Sequence, residues 1–154
     1  MDSTILLLIK LKNQWSLTSS GFGTGSLLFT TNWFSENVVL PQITITPNDL
    51  NLTPVEMGSN PTYFGQEIFF VNIWYRPPTD SVTSYGYAKN AIFQIKNEVA
   101  RIIRSGSVFN DTTGPATSTG YKYYSITGWN TMNDTTVRPA IFRVMSKVKV
   151  ENYN

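Results

Sequence analysis

Cysteine and histidine are both absent from this chain of 154 residues, and charged residues make up only 14% of it, against about 25% in a typical soluble domain. Without cysteine there is no disulfide framework and no thiolate chemistry. Without histidine the commonest general base and the commonest metal ligand are missing, which excludes Ser-His-Asp and Cys-His machinery and zinc sites of the usual kind. A net charge of +2 excludes a strongly basic nucleic-acid binder and a solvating acidic tail. What is abundant is neutral: Ser, Thr and Asn supply 47 residues and aromatics 14%. Hydrophobic residues at 41% suit a packed core, and the length suits one domain spanning residues 1–154.

The apolar run Ile5–Ile9 follows an acidic Asp2 and is broken by Lys10 and Lys12. A secretory signal has basic charge before its apolar run, and a bilayer span needs about 20 apolar residues. The run reads instead as a helix capped by Asp2, Ser3 or Thr4 and reaching about Leu17, in a soluble protein made in the cytoplasm and without a membrane partner. A longer helix is expected over about 86–105: Ala88, Ile92, Ile95, Val99 and Ile102 recur at helical spacing, widened by Ala91 and Ile103, with Lys89, Lys96, Asn97, Arg101 and Arg104 off the stripe. Asp80, Ser81 and Ser84 offer caps upstream, and Gly106 a stop.

Strands are expected at Val38–Thr46, at Gln66–Arg76, at Tyr121–Thr127 and at Ala140–Val150. Gln66–Arg76 is apolar on both faces, so both should be covered. Along the last strand Phe142, Val144, Ser146, Val148 and Val150 alternate with Arg143, Met145, Lys147 and Lys149. The order α-β-β-α-β-β gives an α+β fold, a mainly antiparallel sheet packed by the long helix plus the N-terminal one. Four long loops, Thr18–Asn37, Pro47–Gly65, Gly106–Gly120 and Gly128–Arg138, hold Trp33, Phe34, Tyr63, Phe64, Phe109 and Trp129. Aromatic, weakly charged loops of this kind favour contacts with neighbouring subunits.

Several chemical motifs fail on inspection. Gly21-Phe-Gly23-Thr-Gly25 lacks the strand-before, helix-after context of a phosphate-binding loop and reads as a turn. The ten acidic residues are scattered singly and read mostly as caps or solvated groups. No catalytic, cofactor-binding or metal-binding residue is therefore assigned, no cofactor is expected, and the chain reads as a non-enzyme. Charge is lopsided: residues 1–85 carry three basic and six acidic side chains, residues 86–154 nine and four. Arg143, Lys147 and Lys149 on one strand face, with Arg101 and Arg104 on the helix, offer two readings. One is a basic patch meeting DNA or an acidic partner; the other is an edge strand whose lysines block unwanted pairing.

An N-terminal helix, the Trp-containing segment Trp33-Phe34-Ser35-Glu36-Asn37-Val38-Val39-Leu40-Pro41 leading into Gln42-Ile43-Thr44-Ile45-Thr46, an apolar strand ending Trp74-Tyr75-Arg76, a long helix and a C-terminal pair ending Arg138–Val150 follow one another. This order resembles the tail-terminator and tail-completion (neck) proteins of tailed viruses. The resemblance implies a homo-oligomeric ring, commonly a hexamer, at the end of the tail tube, with the tube protein and the neck or connector proteins as partners and DNA passing through the lumen. It implies a place in the virion tail or neck after assembly in the host cytoplasm, and it brings no catalytic residues. The loops Thr18–Ser35 and Gly106–Gly120 are long for that pattern. The alternative is a nucleic-acid- or carbohydrate-binding module using exposed aromatics and the basic C-terminal half; a hydrolase working with carboxylates alone is a third.

Overall fold

The computed structural model describes residues 3–47, 64–105, 108–110 and 121–153. Helix α1 (Ser3–Gln14) and a short α2 (Leu17–Ser20) lead to strands β1 (Leu28–Thr30), β2 (Gln42–Pro47) and β3 (Phe64–Tyr75). Helix α3 (Val82–Ser105) follows, then β4 (Val108–Asn110), β5 (Tyr121–Thr131) and β6 (Phe142–Tyr153). One six-stranded sheet has the order β1-β2-β3-β6-β5-β4. β1 runs parallel to β2 and every other neighbouring pair is antiparallel. The α+β class with a long helix and an N-terminal helix holds. The reading of four strands missed β1 and β4, because three-residue strands are too short to show a period of two.

The expected first helix ends sooner. Ser16 takes an extended backbone (φ −109°, ψ 118°) and its hydroxyl accepts from the Ser19 N–H at 3.2 Å, so the chain restarts as α2. Gly21 stops α2 with φ +74°, a left-handed conformation that only glycine adopts without strain. The Gly21–Gly25 run thus holds a helix stop followed by the 3-10 turn Thr24–Ser26; the reading as a turn holds, and the stop at Gly21 is added by the structure.

The long helix begins at Val82 rather than Gly86. Ser81 caps it, its hydroxyl accepting from the Ser84 N–H at 3.2 Å. Ala88, Ala91, Ile92, Ile95, Val99, Ile102 and Ile103 are all buried and pack on the sheet's inner face, formed by Ile43, Ile45, Phe69, Val71, Ile73, Tyr124, Val144, Val148 and Val150. Leu7 and Leu11 of α1 complete this core. The hydroxyl of buried Tyr124 donates to the Ser3 carbonyl at 2.8 Å and ties the start of α1 to β5.

Two strand expectations need correction. β6, with its lysines, lies between β3 and β5 at the centre of the sheet, so those lysines do not guard an edge. β3 is covered on both faces only toward its end: Asn72 and Trp74 are buried on the outer face, whereas Ile68 and Phe70 are half-buried. β5 also runs on to Thr131 through a bulge between Ile126 and Trp129, where Thr127 and Gly128 oppose one residue, Lys147.

Candidate functional site

The outer face of the sheet at the β2–β3–β6 end carries a layered cluster. The register aligns Gln42, Trp74 and Arg143 in one row across three strands. The segment between β1 and β2 folds back over this row. The Phe34 ring stacks on Trp74 with centroids 5.0 Å apart, and Trp33 meets it edge-on at 5.1 Å. The Arg143 guanidinium lies 4.3 Å from the Trp74 ring centre and 5.0 Å from that of Trp33. Its Nε and terminal nitrogen both donate to Asn72 Oδ1, at 3.1 and 2.7 Å. Burial pushes its pKa down from the ordinary arginine value. Trp74 Nε1 in turn donates to the Thr44 hydroxyl at 2.9 Å.

Buried Gln42 fixes the same segment by its backbone. Its Oε1 accepts from the Ser35 N–H at 2.9 Å and its Nε2 donates to the Ser35 carbonyl at 2.7 Å. Just beyond, Val38 N–H reaches the Ser35 carbonyl at 3.4 Å and closes a turn with Glu36 at its tip. One side of residues 33–40 is therefore pinned to the sheet. The other side displays Glu36, Val39 (73% exposed) and Leu40 (41% exposed).

Among the described residues, Glu98, Asp80, Asp134 and Glu151 each face donors. Glu98 is buried on α3; its Oε1 accepts from the Ser16 N–H at 3.0 Å, and its Oε2 from Arg101 Nε at 3.0 Å. Desolvation disfavours its charge, but the hydrogen bonds from Arg101 and Ser16 and the arginine's charge outweigh that and hold the carboxyl below its ordinary value. Asp80 bonds the Tyr85 hydroxyl and sits 3.4 Å from Arg138, Asp134 caps Thr136, and Glu151 pairs with Lys149 at 3.0 Å. Sequence reasoning placed these acids at caps or in solvent, and Glu98 is the exception: it is a buried anchor joining α3 to the α1–α2 junction.

The proposed basic patch divides. Arg101 lies on α3, over the inner face, and is engaged by Glu98 and by the Gln14 carbonyl at 3.0 Å. Arg143, Lys147 and Lys149 point to the outer face, so the sheet separates the two groups. Of the three, Arg143 is locked in the tryptophan cluster and Lys149 is paired. Lys147 is exposed and has no ion-pair partner among the described residues.

On the inner side, a groove of about 380 Å³ lies between α3 and the ends of β5 and β6. Ile92, Phe93, Phe142 and Val144 give it apolar walls, and Lys89 and Lys96 bring positive charge. Lys96 Nζ stands 5.4 Å from the Phe93 ring centre. These three side chains project from the flank of α3 opposite the one that meets α1 and α2 through Gln94, Glu98 and Arg101.

The loop aromatics are only partly where the sequence placed them. Trp33 (57% exposed) and Phe34 cover Trp74 within the chain, and Trp129 belongs to β5 and packs partly into the core. Tyr63 and most of the loops 47–65 and 106–120 lie outside the described residues. No helix among the described residues is long and apolar enough to cross a membrane.

No protein-family model matches the chain, and no curated protein does. Among solved structures, it is similar to a chain of one described as the virion of a native gene transfer agent particle, over 99% of this chain and 95% of that one, with 6% identity and a TM-score of 0.48.

Proposed function

We propose that this chain is a non-enzymatic structural subunit of a tailed-virus particle that assembles with its own copies into a ring, hexameric in the simplest case. The ring terminates the tail tube and joins it to the neck. The observation that carries self-assembly is the display of large apolar side chains on unlike surfaces of a weakly charged domain. Ile5, Ile9 and Leu17 are exposed on α1 and α2, Val39 and Leu40 on the β1–β2 connection, and Phe93 at the groove. Two different apolar surfaces on one subunit suit head-to-tail association, which closes into a ring when the rotation between copies divides a full turn. The place at the tail or neck rests on the resemblance in element order, with DNA in the lumen as the companion expectation.

Native mass spectrometry of the purified protein, with electron micrographs of the same sample, tests this. A single high-mass species of defined stoichiometry and a closed ring are expected. A monomer that persists at high concentration, alone and with tail-tube protein present, overturns it.

A further inference from the structure

The ring reading leaves open which surfaces meet, and the structure offers a complementary pair. The groove beside α3 combines apolar walls with Lys89 and Lys96, neither of which has an ion-pair partner among the described residues. Lys89 and Lys96 are seven residues apart, about 10 Å along the helix. The turn at residues 35–38 presents one acid, Glu36, followed at once by exposed Val39 and Leu40. Glu36 likewise has no ion-pair partner among the described residues. Glu36, at the tip of its turn, thus stands a few residues before two exposed apolar side chains, the same mix of charge and apolar surface that the groove offers with opposite sign.

Two further features favour this pairing. First, the turn is held in place before any partner arrives, by the two Gln42–Ser35 hydrogen bonds and by Trp33 and Phe34 against Trp74. A pre-ordered segment loses little conformational entropy on docking. Second, turn and groove lie at the same height on the sheet. Ile43 of β2, Ile73 of β3, Val144 of β6 and Thr131 of β5 form one row; Thr131 and Val144 line the groove, and the turn immediately precedes β2. The two surfaces are thus displaced across the strands, by roughly 14 Å at 4.8 Å per strand, and lie on opposite faces of the sheet, with the turn on the outer face and the groove on the inner one. Contact between two such unlike surfaces is head-to-tail, and it closes into a ring when the rotation between copies divides a full turn without a step along the axis.

We infer that the segment Glu36–Leu40 of one copy docks in the Lys89–Phe93–Lys96 groove of the next, Val39 and Leu40 against its apolar walls and Glu36 between its lysines. This rests on the ring reading and specifies its interface.

Charge exchange tests it. Glu36→Lys alone, and Lys89→Glu with Lys96→Glu, each place like charges in contact and should raise the concentration needed for assembly roughly tenfold or more. The triple variant restores opposite charges and should recover most of the wild-type assembly. Val39→Asp should weaken assembly without rescue by either charge set. All these positions are at the surface, and circular dichroism with thermal melting verifies that each variant folds. If the wild type forms rings and the variants assemble as it does, or if the triple variant fails to recover, the docking is wrong while the ring stands. If the wild type itself never assembles, both fall.

Discussion

The Arg143 guanidinium sits 4.3 Å from the centre of the Trp74 ring while giving two hydrogen bonds to the buried Oδ1 of Asn72. One cation therefore satisfies a buried amide oxygen and contacts two indoles that also meet each other edge-on. This explains how an arginine occupies a central strand on a face that is closed over at this end by residues 33 and 34.

Replacing Arg143 by alanine removes the contacts with both tryptophans and deprives Asn72 Oδ1 of its charged donor. An unsatisfied buried acceptor costs about 1–3 kcal/mol and each of the two ring contacts about 0.5–1 kcal/mol, so a loss of about 2–5 kcal/mol is expected. Urea denaturation followed by tryptophan fluorescence measures it. Lysine at the same position keeps the charge but not the planar fork, and should recover less than half of the loss. An unchanged midpoint for the alanine variant would remove the clamp from the account.

Glu98 makes stability pH-dependent in a definite direction. Its folded-state pKa lies below the ordinary 4.5, so the unfolded chain binds the proton more tightly. The stabilisation is complete above about pH 5 and is lost as pH falls through the depressed folded-state value. Glu98→Gln should flatten this acid limb, and at neutral pH should cost about 1–2 kcal/mol for the weakened bonds to Ser16 and Arg101. Unfolding free energies of both proteins from pH 7 down to pH 3 decide the matter; parallel curves would contradict it.

Tyr124→Phe leaves the ring in the core and removes the hydroxyl that donates to the Ser3 carbonyl. A cost of about 1 kcal/mol is expected, with faster hydrogen exchange confined to the first turns of α1. Exchange unchanged in α1 would show that the hydroxyl does not hold the helix.

Gly21→Ala forces a left-handed backbone on a side chain whose Cβ would lie 3.2 Å from Gln94 Oε1. The backbone penalty alone is about 1–2 kcal/mol, and thermal melting should show it. A melting temperature equal to the wild type's would mean that α2 ends differently.

The nucleic-acid alternative also has a sharp expectation. With Arg143 enclosed and Lys149 paired, Lys147 is the exposed cation of that strand face, so binding of duplex DNA at this face should be weak and its salt dependence shallow, near one released counterion. A slope of several counterions that collapses in Lys147→Glu would favour the binding-module reading.

The long helix, the central apolar strand and the alternation along β6 were legible in the sequence because burial on one side writes a period of 3.6 or 2 into consecutive residues. Ser81 as one of three candidate caps of α3, and the Gly21–Gly25 run as a turn, were legible for the same local reason: each acts on backbone within a few positions of itself. What the tertiary structure decided is everything that joins distant residues. Val144 in the core and Arg143 on the opposite face follow from local alternation, but only pairing with β3 sets Arg143 beside Asn72 and Trp74, some 70 positions earlier. Strand order turned the expected edge lysines into residues of a central strand, and the folding back of residues 33–40 made Trp33 and Phe34 a lid on their own sheet. Neither outcome has a local signature, because hydrogen-bond pairing and ring stacking depend on separation in space, and the chain does not encode that in any single window.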